Sequence, residues 1–168
     1  MLAEVITVGD ELLLGQTVDT NSAWMGEVFA SHGIALHRIT SISDNAEEIV
    51  AALDEARARV DLILMTGGLG PTRDDITKHT LADYFGMELR MNEEVLKGIS
   101  AWFHGRGVPM LPVNEAQAML PEGSSVLPNP RGTAMGMGFE ASRDGRPQVV
   151  VSMPGVPYEM KGLVLCSK

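Results

Sequence analysis

The sequence predicts an α/β fold, a mostly parallel sheet covered by helices with an antiparallel edge, and three observations carry that reading. Apolar runs at residues 2–8 and 61–66 each end in a glycine, as buried strands feeding tight turns do. Stretches of helical spacing separate the strands, so the connections are crossovers and neighbouring strands run parallel. The final third departs from this alternation, with short strand-like runs joined directly by a turn. With 168 residues, 45% hydrophobic and 21% charged, the chain is sized and composed for one globular domain spanning 1–168.

The elements follow in order. After the strand over residues 2–8, Trp24, Met25, Val28 and Phe29 recur at helical spacing behind the capping cluster Asp19-Thr20-Asn21-Ser22, and Gly33 ends that helix. A strand over residues 34–42 comes next. Asp44 and Glu47 have the capping-box spacing, and Ile49, Leu53, Ala56 and Val60 form one apolar stripe leading to the strand over 61–66. Beyond the glycine turn, Ile76, Leu81, Tyr84 and Phe85 mark a helix closed by Gly86. Val95, Ile99, Trp102 and Phe103 mark another that starts at Asn92. Short strands are predicted at 126–129, 133–141 and 148–153, the last two joined by the Ser142-Arg143-Asp144-Gly145-Arg146-Pro147 turn, with a helix over 157–165.

Charge and composition exclude several functions. A net charge of -9 repels polyanions, which argues against nucleic acid or an anionic membrane as partner. The N-terminus lacks a basic region before its short apolar run, no apolar stretch is long enough to cross a bilayer, and Cys166 is the single cysteine; a cytoplasmic protein is expected. His32, His37, His79 and His104 are scattered, and no Gly-x-Ser-x-Gly elbow is present, so neither zinc nor acyl-enzyme chemistry is supported.

The strongest local signal is Gly67-Gly68-Leu69-Gly70-Pro71-Thr72, between a strand and a helix start. Ligands of open parallel sheets sit beyond the carboxyl ends of strands, and glycines let backbone amides approach a phosphate closely. The segment matches neither the Walker lysine pattern nor the full dinucleotide fingerprint, and a plain tight turn is its alternative. Thr72 and Asp75 have capping-box spacing, which leaves Asp74 without a structural duty; a carboxylate beside a phosphate cradle calls for a metal. Asp10 and Glu11, after Gly9, place two more hard oxygen donors at the end of the first strand, suited to Mg²⁺, Mn²⁺ or Co²⁺. Asp19, Thr20 and Asn21 are further candidates for ligand hydrogen bonds, with N-capping as the alternative for at least one.

Several stretches, taken together, resemble the N-terminal domain of CinA-type competence/damage-inducible proteins: Val8-Gly9-Asp10-Glu11-Leu12-Leu13-Leu14-Gly15, Asp19-Thr20-Asn21-Ser22, residues 66–75, Leu127-Pro128-Asn129-Pro130-Arg131-Gly132-Thr133-Ala134 and Met153-Pro154-Gly155-Val156-Pro157-Tyr158-Glu159-Met160-Lys161. The resemblance covers almost the whole chain in order. It extends to the molybdopterin-binding domains of MogA, MoaB and MoeA, and implies a three-layer α/β/α fold with the glycine turn at a pterin or nucleotide phosphate. It also implies divalent-metal-dependent hydrolysis of ADP-ribose to AMP and ribose 5-phosphate, and a homo-oligomer to which the helix bearing Trp102 and Phe103 contributes apolar surface. Carried onto this sequence, Asp10, Glu11, Asp74 and Lys161 become the catalytic candidates. Gly67 to Thr72, Asp19, Asn21, Asn129, Arg131, Gly132, Thr133, Pro154 and Gly155 become the ligand-binding ones. Adenylyl transfer to molybdopterin and a non-catalytic nucleotide- or pterin-binding module are the competing readings. Gly132-Thr133-Ala134-Met135-Gly136 departs from the family's Gly-Thr-Ala-Pro-Gly and loses a φ constraint. Many relatives continue into a nicotinamide-mononucleotide deamidase domain; this sequence is expected to be a fragment or short form without it, and deamidase activity is not carried over.

Overall fold

The computed structural model describes residues 1–70 and 75–166. One six-stranded sheet organises the molecule. Its strands are β1 (Leu2–Val8), β2 (Ala35–Ile42), β3 (Leu62–Thr66), β6 (Ser125–Leu127), β7 (Gly136–Arg143) and β8 (Arg146–Met153), in the spatial order β2-β1-β3-β8-β7-β6. The first four in that order run parallel, with Val5 beside both Ile39 and Leu64, and Leu64 beside Val151. β7 and β6 then complete the sheet antiparallel, as the final third of the sequence predicts. The predicted β7–β8 connection is tighter than a six-residue loop: Asp144 and Gly145, both at positive φ, form a two-residue turn whose twist suits a hairpin.

Helices cover both faces. Along β1 and β3 the side chains alternate, so Ile6, Val8, Ile63 and Met65 enter one core while Val5 and Leu64 enter the other. The first core is closed by Ile49, Leu53 and Ala56 of α3 (Ala46–Arg57) and Leu81 of α4 (Thr77–Tyr84). The second is closed by Met25 of α2 (Thr20–Ser31) and by Met160 and Leu163 of α7 (Pro157–Cys166). Buried Gln148 ties the layers: its Nε2 donates to the carbonyls of Arg57 and Val60 and its Oε1 accepts from Arg57 Nε, at 2.8–2.9 Å.

Three helix starts follow from caps visible in the sequence. Asp19, Asn45 and Asn92 accept from the amides of Ser22, Glu48 and Val95, the last opening α5 (Glu93–His104). The expected Asp44–Glu47 box is displaced by one residue, to Asn45 and Glu48, whose carboxylate reaches back to the Ser43 amide. A second correction concerns α4. Its N-cap is Ile76, with no side-chain cap bond, and Asp75 instead turns its carboxylate onto the Gly70 amide at 2.7 Å.

Five short elements are absent from the sequence expectation. The four-residue helix α1 (Asp10–Leu13) follows β1. The strands β4 (Leu89–Met91) and β5 (Met119–Pro121) pair antiparallel in a separate ribbon. Between α5 and β5, α6 (Pro112–Glu115) runs into a three-ten turn, Ala116–Ala118. Among the described residues no helix is long and apolar enough to cross a membrane.

Candidate functional site

The chain crosses from β2 over β1 to reach β3, so the order of the sheet reverses between β1 and β3. A cleft of about 530 Å³ opens there, beyond the carboxyl ends of β1, β3 and β8. Gly9 and Gly67 both line it, so the glycine turns after the first and third strands open onto one crevice.

The floor is backbone. Gly67, at φ +116°, lies where any Cβ would collide with the Val8 carbonyl, and its amide donates to Met153 O at 3.1 Å. Gly155 packs on it from the β8 side, with room for a Cβ only at 3.2 Å from the Gly67 Cα. Gly68, at φ +64°, lies against the hydroxyl of buried Thr77. The plain-turn alternative therefore explains part of the motif, since these two glycines are required by their neighbours. The amides of Gly68 and Leu69 nonetheless have no hydrogen-bond partner among the described residues and lie at the cleft, whereas the Gly70 amide is occupied by Asp75. Pro71, Thr72 and Asp74 lie outside the described residues.

The walls are acidic, and glycines make room for the acids. Glu11 folds back over Gly9, where a Cβ would stand 2.5 Å from Oε1; Asp75 occupies the corresponding space at Gly70, also 2.5 Å; Glu159 fills the space beside Gly132. All three carboxylates line the cleft, as does Asp44. Burial pushes the Asp44 carboxyl above its ordinary range; the bond from the Asp10 amide opposes this, while the charges of Asp10, Glu11 and Asp75 add to it. Burial likewise raises Glu159, partly offset by the Asn129 Nδ2 donor at 2.6 Å.

The other candidates divide. Gly67, Gly68, Leu69, Gly70, Thr133, Pro154 and Gly155 line the cleft. Asp19 and Asn21 line a smaller adjoining cavity of about 80 Å³ that shares Glu11. There Asp19 caps α2, and Asn21 donates to Thr66 Oγ1 and Gly155 O while its own Oδ1 is buried and unpartnered among the described residues. Asp10 faces Asp44 rather than the open cleft. Asn129 and Gly132 shape the loop around Glu159, and Arg131 is turned away to the Tyr158 carbonyl and ring.

Lys161 does not line the cleft. Its ammonium lies over the Trp24 ring, 5.5 Å from the centroid. The reason is helix geometry: residues two apart on α7 point to opposite sides, so if Glu159 faces the cleft Lys161 cannot. Sequence reasoning missed Asp44, Glu159, Asn114 and Gln117, all cleft-lining. Asn114 and Gln117 stand three residues apart on one turn, a spacing that puts both on one face, but nothing in their segment marks it as structured.

Residues 4–165 match the family described as "Probable molybdopterin binding domain". A CinA-like protein of Cytophaga hutchinsonii is 46% identical over 162 residues, which cover 96% of this chain and 38% of that protein. A CinA-like protein of Chloroherpeton thalassium is 45% identical over 167 residues, covering 99% and 40%. The chain thus spans about two fifths of the length of these curated relatives. The crystal structure of CinA from Thermoplasma acidophilum, of unknown function, has a TM-score of 0.82 and 37% identity, covering 98% of this chain and 94% of that one. The tungsten cofactor synthesizing protein MoaB of Pyrococcus furiosus shares the fold, with a TM-score of 0.64 and 23% identity. With the glycine floor at the sheet's switch point and the three-layer architecture around it, the chain belongs to the molybdopterin-binding domain family and is a CinA-type member of it.

Proposed function

We propose that the cleft holds the phosphate-bearing part of a nucleotide- or pterin-type ligand and, with a divalent metal, hydrolyses ADP-ribose or a related nucleoside diphosphate to AMP and a sugar phosphate. The observation that supports this is one cleft in which backbone amides of Gly68 and Leu69, without a partner among the described residues, adjoin the carboxylates of Glu11, Asp44, Asp75 and Glu159. The amides attract a phosphate and the carboxylates repel it, so the two coexist around a bound diphosphate only with a cation between them.

Among the described residues no three His, Cys, Asp or Glu converge as a metal cage. That donor set fits Mg²⁺, Mn²⁺ or Co²⁺ held through one or two carboxylates, the substrate's own oxygens and water, the usual arrangement for a hard ion at a phosphate site. Glu11 or Asp44, with Asp74, would supply those carboxylates, and Asp10 fixes Asp44. Such an ion, when bound, neutralises the diphosphate and polarises a water.

The chain's residues supply the rest. Amides of the glycine turn position the diphosphate. Glu159, a stronger base for being buried, takes one proton from the attacking water while the water oxygen bonds to one phosphorus. The bridging P–O bond breaks, its electron pair stays with the departing phosphate, and the second water proton remains on the new phosphoryl oxygen.

Incubating the protein with nucleoside diphosphate sugars, or with ATP plus molybdopterin, across a series of divalent ions, and resolving the products by chromatography, tests this. AMP and sugar phosphate formed only with metal is the expected result. Adenylylated pterin formed from ATP would place adenylyl transfer in its stead, and binding without turnover in any metal would leave a binding module.

A further inference from the structure

We infer that Gln117, helped by Asn114, forms a base-recognition subsite in the cleft wall that takes the amine and ring-nitrogen edge of an adenine-type ring. This rests on the reading that the cleft holds a nucleotide, and deepens it by assigning the part of the ligand the glycine turn cannot read.

Gln117 lines the cleft yet is only 5% exposed, and its buried Oε1 has no hydrogen-bond partner among the described residues. Buried side-chain amides are normally paired, and an unpaired one lowers stability. Its backbone is not free to relieve this. On one side the Ala116 carbonyl accepts from Lys78 Nζ at 2.7 Å, and on the other the Ala118 carbonyl accepts from the Asn92 amide at 2.8 Å. The residue is held between two anchored neighbours with its Oε1 unsatisfied among the described residues.

The unpaired atom is an acceptor, which decides the ligand chemistry. Phosphate and the carboxylates of this cleft offer acceptors, and Gln117 Oε1 would repel them; it calls for a ligand N–H or O–H. The Gln117 carboxamide presents that acceptor beside its NH₂ donor in one plane. An adenine-type edge, an exocyclic amine beside a ring nitrogen, is complementary to that pair. Asn114, whose Oδ1 is fixed by the Leu111 amide at 3.0 Å, keeps its own NH₂ for the same wall.

The test is isothermal titration of the whole chain with AMP, with purine riboside 5′-monophosphate, which lacks the amine, and with ribose 5-phosphate. Wild type is expected to bind AMP about tenfold more tightly than the amine-free analogue. Gln117→Leu is expected to bind the two alike, with unchanged affinity for ribose 5-phosphate. Its thermal midpoint should rise by about 2–4 °C, because an unpaired buried amide has been removed.

If the preference for AMP survives in Gln117→Leu, or if affinity for ribose 5-phosphate falls with it, Gln117 does not read the base and the inference is wrong. Equal binding of AMP and its analogue by wild type, alongside binding of ribose 5-phosphate, removes the subsite while leaving the cleft's nucleotide reading intact. A pterin bound more tightly than AMP through Gln117 overturns the adenine-type assignment. Binding of none of these ligands overturns both readings. Should Gln117→Leu not fold, Gln117→Met, which keeps the length and loses both donor and acceptor, is put through the same comparison.

Discussion

Asp10 and Asp44 hold each other by reciprocal bonds: the Asp10 amide donates to Asp44 Oδ2 at 3.1 Å and the Asp44 amide donates to Asp10 Oδ1 at 3.3 Å. Two turns that leave different strands are clasped at the cleft with two negative charges side by side. The Asp44 carboxyl is raised above its ordinary 3.8, by burial first. A carboxyl whose folded pKa exceeds its unfolded one binds its proton more tightly when folded, so it subtracts stability as pH rises through that window. Asp44→Asn keeps an acceptor for the Asp10 amide and removes the charge. Thermal midpoints across pH should place this variant above wild type at pH 7, by about 1–3 °C, with the gap closing below pH 3.8. A constant gap at all pH values would contradict the assignment.

Lys78 gives the opposite signature. Its side chain is buried on α4 and its pKa falls from 10.5 to about 8, because burial disfavours the ammonium more than Asp75 favours it. The unfolded chain therefore binds this proton more tightly than the folded one, and stability rises with pH between about 8 and 10.5. At about 1.36 kcal/mol for each pH unit of that interval, the swing is roughly 3 kcal/mol. Denaturant titrations in that range should show the rise in wild type and lose it in Lys78→Met.

Gly67→Ala should disrupt the floor of the cleft. The added methyl meets the Val8 carbonyl, and φ is +116°. A loss of roughly 2–4 kcal/mol is expected from overlap and backbone strain together. Gly98→Ala on α5, where a Cβ would meet nothing within 4 Å, is the control and should stabilise slightly. Urea denaturation of the two variants checks the pair.

Asp74 and Asp75 are predicted to separate by phenotype. Asp75→Ala removes a charge-assisted bond to the Gly70 amide and should cost about 1.5–3 kcal/mol of stability, loosening the glycine turn and ligand binding together. Asp74→Ala is expected to lower metal-dependent turnover about a hundredfold or more with the thermal midpoint unchanged. Turnover measured against metal concentration, with thermal melts of both proteins, checks this; turnover like wild type in Asp74→Ala would remove Asp74 from the metal site.

Self-association is also expected. Trp102 and Phe103 are half-buried against each other, with Arg106 stacked 3.7 Å over the indole, so they do not themselves supply the open apolar face. Val108, Leu111 and Val113, in the segment after α5, are each exposed and are the apolar side chains available for such a contact there. Sedimentation at micromolar concentration should show a dimer or larger species, and Leu111→Asp should shift it towards monomer; a monomeric wild type would end the proposal.

The fold was legible because its main elements are long enough to carry a period. β1 has the predicted bounds, and α2, α3 and α5 begin beside visible capping residues. The misplaced start of α4 has a physical cause: Thr72 and Asp75 fit a local capping rule, but the Gly70 amide offers Asp75 a tertiary partner. β4 and β5 are three residues each, too short for alternation to register. The site was half legible. Glycines that line the cleft announce themselves, whereas Asp44, Glu159 and Gln117 reach it only because the β2–α3 connection, α7 and the three-ten turn converge there, and no local spacing rule marks these three side chains as facing it.

The contact between Gly67 and Gly155 sets a rule for how this cleft can change. With no side chain between the loops that follow β3 and β8, and an amide-to-carbonyl bond joining them, the floor offers no atom that substitution could exchange. A new ligand preference has to be written into the walls, at positions such as Asp44, Gln117 and Glu159, each borne by a different segment of the chain. The floor is held by backbone alone, and side chains borne by separate segments of the wall remain free to vary around it.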